Sequence, residues 1–89
     1  MENIIKRDGT KQKFDLEKIE NAVAKAFIST SEVPARDVSA LSRAVALIVL
    51  SSLNAAGKNT PSVEEIQDEV ETALMKLGYP QTAKSYILY

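Results

Sequence analysis

The chain has 89 residues, with 11 lysines and arginines against 12 aspartates and glutamates, and neither cysteine nor histidine. That length suits one small domain with one core. The missing residue types exclude disulfides, thiolate zinc sites and histidine-assisted acid–base chemistry from this chain, and a net charge of −1 argues against broad electrostatic binding to nucleic acid.

Residues 3–14 read as a β-hairpin. Ile4, Ile5 and Phe14 favour strands, and Asp8-Gly9 signals the turn because glycine accepts positive φ. In an extended segment Lys11 and Lys13 share one face while Gln12 and Phe14 share the other. Phe14 and the Ile4-Ile5 pair can then cover the helices, with basic groups around the cover. Lys6, Arg7, Lys11, Lys13 and Lys18 crowd into this part of a slightly acidic chain. Asp15 stands where an N-cap belongs, so a helix start adjoins the cationic hairpin, a plausible anion site. The competing reading is a solvated hairpin whose lysines protect an edge strand.

Leu16, Ile19, Val23, Ala26 and Phe27 recur at helical spacing and predict a helix over 16–28. The segment 29–34 ends it with poor helix formers and Pro34. A second helix is predicted over 35–56, with Val38, Leu41, Val45, Ile48 and Ser52 on one stripe. Leu47, Val49, Leu50 and Leu53 widen that stripe, which places the helix at the centre of a bundle; an exposed apolar flank would instead suit a subunit contact. Its longest apolar run, Ala44 to Leu50, is far too short for a membrane span. Met1-Glu2-Asn3 leads into alternating charge, not an apolar signal stretch, so no membrane partner and a cytoplasmic location are expected.

Gly57-Lys58-Asn59-Thr60 fails as a phosphate loop. Ser52 stands where the first glycine belongs and Asn59 where a serine or threonine must follow the lysine. Gly57 instead reads as a helix stop. Ser62-Val63-Glu64-Glu65 is a capping box opening a helix over 63–77, whose stripe is Val63, Ile66, Val70, Leu74 and Leu77. Glu64, Glu65, Asp68, Glu69 and Glu71 read as a solvated face rather than an acid–base pair or a metal site. Gly78 ends the helix, and a last one over 81–89 carries Ala83, Tyr86 and Ile87. The chain stops at Tyr89 without a cap or polar tail, which predicts a segment cut from a longer polypeptide.

The expected fold class is α+β, a small N-terminal hairpin packed on a bundle of about four helices. No catalytic constellation emerges, so the residues describe a binding module rather than an enzyme.

Lys6-Arg7-Asp8-Gly9, followed by Lys13-Phe14-Asp15 and Glu17-Lys18-Ile19, resembles the opening of an ATP-cone domain. Residues 62–71 and 83–89 resemble its closing elements, so the likeness spans nearly the whole chain. The resemblance implies an allosteric regulatory domain binding ATP or dATP, with magnesium as the triphosphate's companion. Such a domain controls overall ribonucleotide reductase activity through oligomerisation, and so bears on DNA replication. The implied nucleotide contacts are Ile5, Lys6, Arg7, Gln12, Lys13, Phe14, Asp15, Leu16, Glu17, Lys18, Val63 and Gln67. Lysines and Arg7 would meet phosphates, while Ile5, Phe14 and Val63 would line an adenine slot. Relatives often carry Thr, His or Asp at the positions of Val63 and Gln67. The implied partners are adenine nucleotides, the rest of a parent reductase and other cones. Two alternatives stand beside this reading: the cone of a nucleotide-sensing transcriptional repressor, and a helical interaction module that binds no nucleotide.

Overall fold

The computed structural model describes residues 2–88. Strands β1 (Asn3–Ile5) and β2 (Lys11–Lys13) precede helices α1 (Leu16–Thr30), α2 (Val38–Ala55), α3 (Val63–Lys76) and α4 (Pro80–Leu88). This is an α+β fold, with the hairpin at one end of the helices. Tyr89, expected to close the last helix, lies outside the described residues.

The strands pair antiparallel, with Asn3 opposite Lys13, Ile4 opposite Gln12 and Ile5 opposite Lys11. Two bonds shape the turn: the Gly9 amide donates to the Lys6 carbonyl (2.9 Å) and the Lys6 amide to that of Thr10 (2.8 Å). Gly9 has φ of 86° and Asp8 does not have a positive φ. A two-residue turn of the mirror-image type needs positive φ at both positions, so this is a three-residue loop with a glycine bulge. The Asp8 carboxylate accepts from the Thr10 hydroxyl (2.6 Å) and amide (3.0 Å), which also hold it below the usual carboxylate range.

Most helix ends are bounded by a local device; α2 instead follows a 3-10 turn over Ala35–Asp37 with no capping side chain. Asp15 caps α1 by accepting from the Glu17 amide at 3.0 Å. Ser62 and Glu65 form the reciprocal capping box of α3. After α2, the amides of Gly57 and Lys58 return to the carbonyls of Asn54 and Leu53; after α3, those of Gly78 and Tyr79 return to Met75 and Leu74. Both are paired C-terminal closures around a left-handed glycine. Helix α1 continues past Ile28 to Thr30, further than the poor helix formers suggested. The reason is that the Ser29 and Thr30 hydroxyls bond back to the Ala26 and Phe27 carbonyls and across to Ser85 and Thr82 of α4. Pro80 does not merely block α3 but opens α4, where its missing amide costs nothing.

Helix α1 packs on α2 and α4, and α3 packs on the same two. The dry centre holds Val23, Phe27, Val45, Val49, Leu53, Val70 and Leu74, and the Tyr79 ring meets Phe27 edge-on with centroids 5.2 Å apart. The predicted α1 stripe is buried, apart from the half-buried Leu16. The predicted stripe of α3 is buried at Ile66, Val70 and Leu74, whereas Val63 is half-buried and Leu77 is exposed.

Helix α2 corrects the sequence expectation. Its buried face is Val38, Ser42, Val45, Ala46, Val49 and Leu53, while Leu47 and Ile48 are exposed. It gives one face to the core instead of being enclosed on most sides. Small Ser42 and Ala46 are turned inward, where they let neighbouring helices approach closely. Over Ala35–Ala55 the segment has a mean hydropathy of 1.6, long and apolar enough by composition to cross a membrane. Only 33% of that apolar stretch is buried, and Arg43 on the outside pairs with Glu20 of α1 at 3.0 Å.

Candidate functional site

The hairpin is fastened to the start of α3. Alternation along β1 turns the Ile5 amide away from β2, and it donates to the Pro61 carbonyl at 2.9 Å; Ile5 also bridges Ser62 in parallel. This bond sets β1 between β2 and the entry to α3. It brings the hairpin, the first turns of α1 and α3, and Tyr86 of α4 around one cleft.

That cleft has a volume of about 200 Å³ and a mainly apolar floor, with Phe14, Ile19, Val63 and Ile66 prominent among its lining. Its polar rim carries Gln12, Lys13, Asp15, Lys18 and Gln67. A second opening of about 400 Å³ continues from it along α1, past Asn21 and Lys25, and shares Lys18, Gln67 and Tyr86. A third, of about 330 Å³, adjoins at Gln12 and Val63 and is lined by Lys6, Arg7 and Asp8. The result is an open groove with an apolar floor and a basic rim, a shape suited to a ligand with one flat apolar part and one anionic part.

Among the sequence-predicted residues, Gln12, Lys13, Phe14, Asp15, Lys18, Val63 and Gln67 meet in the main cleft. Lys6 and Arg7 line the adjoining opening. Ile5, Leu16 and Glu17 line none of these cavities. Ile5 acts through its backbone, Leu16 packs against the core, and Glu17 is exposed beside the Asp15 cap. Ile4, Ile19, Ala22, Ile66 and Tyr86 line the cleft without having been singled out as site residues. Ala22 is four positions beyond Lys18 and Ile66 three beyond Val63, so helical spacing alone could have found both. Nothing local in the sequence points to Tyr86, which arrives from α4; burial raises its phenol pKa and keeps it neutral.

Two electrostatic details correct the expectation. The start of α1 offers few free donors, because the Glu17 amide goes to the Asp15 carboxylate and the Lys18 amide to the Asp15 carbonyl. Anion attraction at the cleft therefore rests on side-chain charge. Among the described residues Lys6, Lys13 and Lys18 make no ion pair, whereas Arg7 does: its Nε lies 3.2 Å from Glu64. The Arg7 Nη2 also donates to Gln67 Oε1 at 3.3 Å. The acidic face of α3 is thus more than a solvated surface. Glu64 holds Arg7, and Glu65 both completes the cap and pairs with Lys58. The Lys58 contact lowers the Glu65 pKa and raises that of the lysine. Among the described residues no group of three acidic side chains has the arrangement of a metal site.

The sequence model of the ATP cone domain matches residues 2–89. The chain is 41% identical to the ribonucleoside-diphosphate reductase subunit alpha of Chlamydia pneumoniae, over 97% of this chain and 9% of that protein. It is 38% identical to the vitamin B12-dependent ribonucleoside-diphosphate reductase of Thermoplasma acidophilum, over 100% of this chain and 12% of the relative. With the anaerobic ribonucleoside-triphosphate reductase of Escherichia coli it shares 37% identity, over 98% of this chain and 11% of that protein. The chain spans about a tenth of the length of these curated relatives. The match runs from the hairpin through α4, so it includes every element that builds the cleft, and the chain belongs to the ATP-cone domain family.

Proposed function

We propose that the cleft binds ATP and dATP, each with magnesium, and that the chain is the regulatory region of a longer, cytoplasmic ribonucleotide reductase. The observation that carries this reading is the meeting of Gln12, Lys13, Phe14, Asp15 and Lys18 with Val63 and Gln67 around an apolar floor, beside lysines that make no ion pair among the described residues. Adenine would lie on Phe14, Val63 and Ile66. The phosphates would reach Lys6, Lys13 and Lys18, where charge-assisted hydrogen bonds are strong. Magnesium would travel with the triphosphate.

Regulation then follows from differential affinity. ATP and dATP differ by one hydroxyl, and a net hydrogen bond is worth about 1 kcal/mol, a several-fold effect. Each ligand must favour a different arrangement of the parent, with oligomerisation amplifying the difference. Leu47 and Ile48 on α2, and Ile87 and Leu88 at the end of α4, are exposed apolar groups suited to such contacts.

Calorimetric titration of the chain with ATP, dATP and GTP, magnesium present, tests the reading. Saturable adenine-selective binding supports it, and the dATP stoichiometry tells whether the opening along α1 takes a second nucleotide. No heat from a folded sample would contradict it and leave the interaction-module alternative.

A further inference from the structure

Among the described residues, Arg7 is the one member of the basic cluster with a side-chain hydrogen bond or ion pair. Its guanidinium spans from the hairpin turn to two α3 residues one helical turn apart: Nε to Glu64 at 3.2 Å and Nη2 to Gln67 at 3.3 Å. Both ends of the ion pair are largely exposed, with side-chain exposures of 70% and 55%. An exposed pair of this kind is weak, so an anion can displace it. Arg7 also lines the opening that adjoins the main cleft at Gln12 and Val63. A phosphate chain extending from the cleft toward Lys6 would therefore compete with the Glu64 carboxylate for the same guanidinium.

We infer that Glu64 is an affinity-setting residue of the nucleotide site: it holds Arg7 against α3, and a ligand gains the Nε–Nη2 edge of Arg7 by displacing it. This rests on the reading of the cleft as a polyphosphate site. The physical basis is that guanidinium has donors only, and Glu64 and Gln67 together occupy the Nε–Nη2 edge that a phosphate would take side-on. A phosphate that takes the Nε–Nη2 edge of Arg7 must break the Glu64 contact, and one that takes Nη1 still comes toward a like charge. Neutralising Glu64 removes both penalties. A ligand too short to reach Arg7 leaves the pair intact and gains little from that change. Glu64 thus tempers the preference for longer phosphate chains, and Gln67, held by the same guanidinium, is released when Arg7 turns to the ligand.

The test is calorimetric titration of the wild-type chain, Glu64→Gln, Arg7→Gln and the double variant with magnesium ATP and with magnesium AMP. Thermal melts serve as folding controls for these exposed positions. The inference predicts that Glu64→Gln tightens ATP binding about twofold to fivefold, as expected for loss of an exposed competing pair, with a smaller change for AMP. It further predicts that this gain disappears in the Arg7→Gln background, because the two residues then no longer interact. Equal or weaker ATP binding by Glu64→Gln overturns the inference while leaving the nucleotide site standing. A gain that persists without Arg7 also overturns it, and reduces Glu64 to a general repulsive charge. Absence of ATP binding in every variant overturns the nucleotide reading, and the role of Glu64 with it.

Discussion

Phe27, Val45, Val49, Val70 and Leu74 are wholly screened from water, whereas Lys13, Asp15 and Lys18 at the cleft are exposed and Phe14, Val63 and Gln67 are half-buried. The helical body is held chiefly by apolar packing. The hairpin side is held by a short ladder, the half-buried Ile4 and Phe14 packed against the core, one bond from Ile5 to Pro61, and the exposed Arg7 contacts. The capping box at Ser62 belongs to both regions, since it starts α3 and bridges Ile5.

Substitutions should divide along that boundary. Phe27→Ala removes the largest dry side chain and its contact with Tyr79, and should cost about 3–5 kcal/mol, a loss that a thermal melt would register as a collapse of cooperative folding. Lys18→Ala should do the reverse. It should weaken magnesium ATP binding by about 1.5–3 kcal/mol, seen by calorimetry, and leave the melting temperature nearly unchanged. Ser62→Ala should cross the boundary, costing about 1 kcal/mol of stability through the lost cap and weakening nucleotide binding as well. If Ser62→Ala changed stability alone, the hairpin would be less dependent on α3 than its backbone bond suggests.

A gentler probe is pH. Burial opposes ionisation of Glu32, but hydrogen bonds from the Thr82 hydroxyl and amide, both at 2.6 Å, outweigh it and leave the pKa below its usual 4.5. A depressed carboxylate contributes its stability above the unfolded pKa and loses it as pH falls through the folded one. Denaturant melts should therefore weaken below about pH 4.5, and Glu32→Gln should flatten that part of the profile. The smallest effect is expected at Ser42, whose buried hydroxyl has no hydrogen-bond partner among the described residues. Ser42→Ala should change stability by less than about 1 kcal/mol, and in the stabilising direction, because no bond is lost and a polar group leaves the core.

Local signals in the sequence foretold local structure. Asp15, the Ser62–Glu65 pair, Gly57 and Gly78 each act through neighbours within a few residues, and each stands where its chemistry predicts. The assembly of Gln12, Lys13, Phe14, Asp15, Lys18, Val63 and Gln67 into one cleft was legible only because the family pattern joins the two ends of the chain. What stayed hidden depends on long-range geometry. The inward face of α2 could not be read because apolar residues lie on most of its sides, so packing alone selects Val45, Ala46 and Val49 over Leu47 and Ile48. The partners of Arg7 were equally hidden, since a surface glutamate 57 positions away carries no local mark.

The most direct test of the central claim is an amide nuclear magnetic resonance titration of the isotope-labelled chain with magnesium ATP. The account predicts that the largest shift changes fall on Gln12–Lys18 and Val63–Gln67, with Lys6 and Arg7 following and the inner face of α2 nearly still. Saturable changes centred on Leu47 and Ile48, with the hairpin unaffected, would contradict it and move the nucleotide away from the cleft.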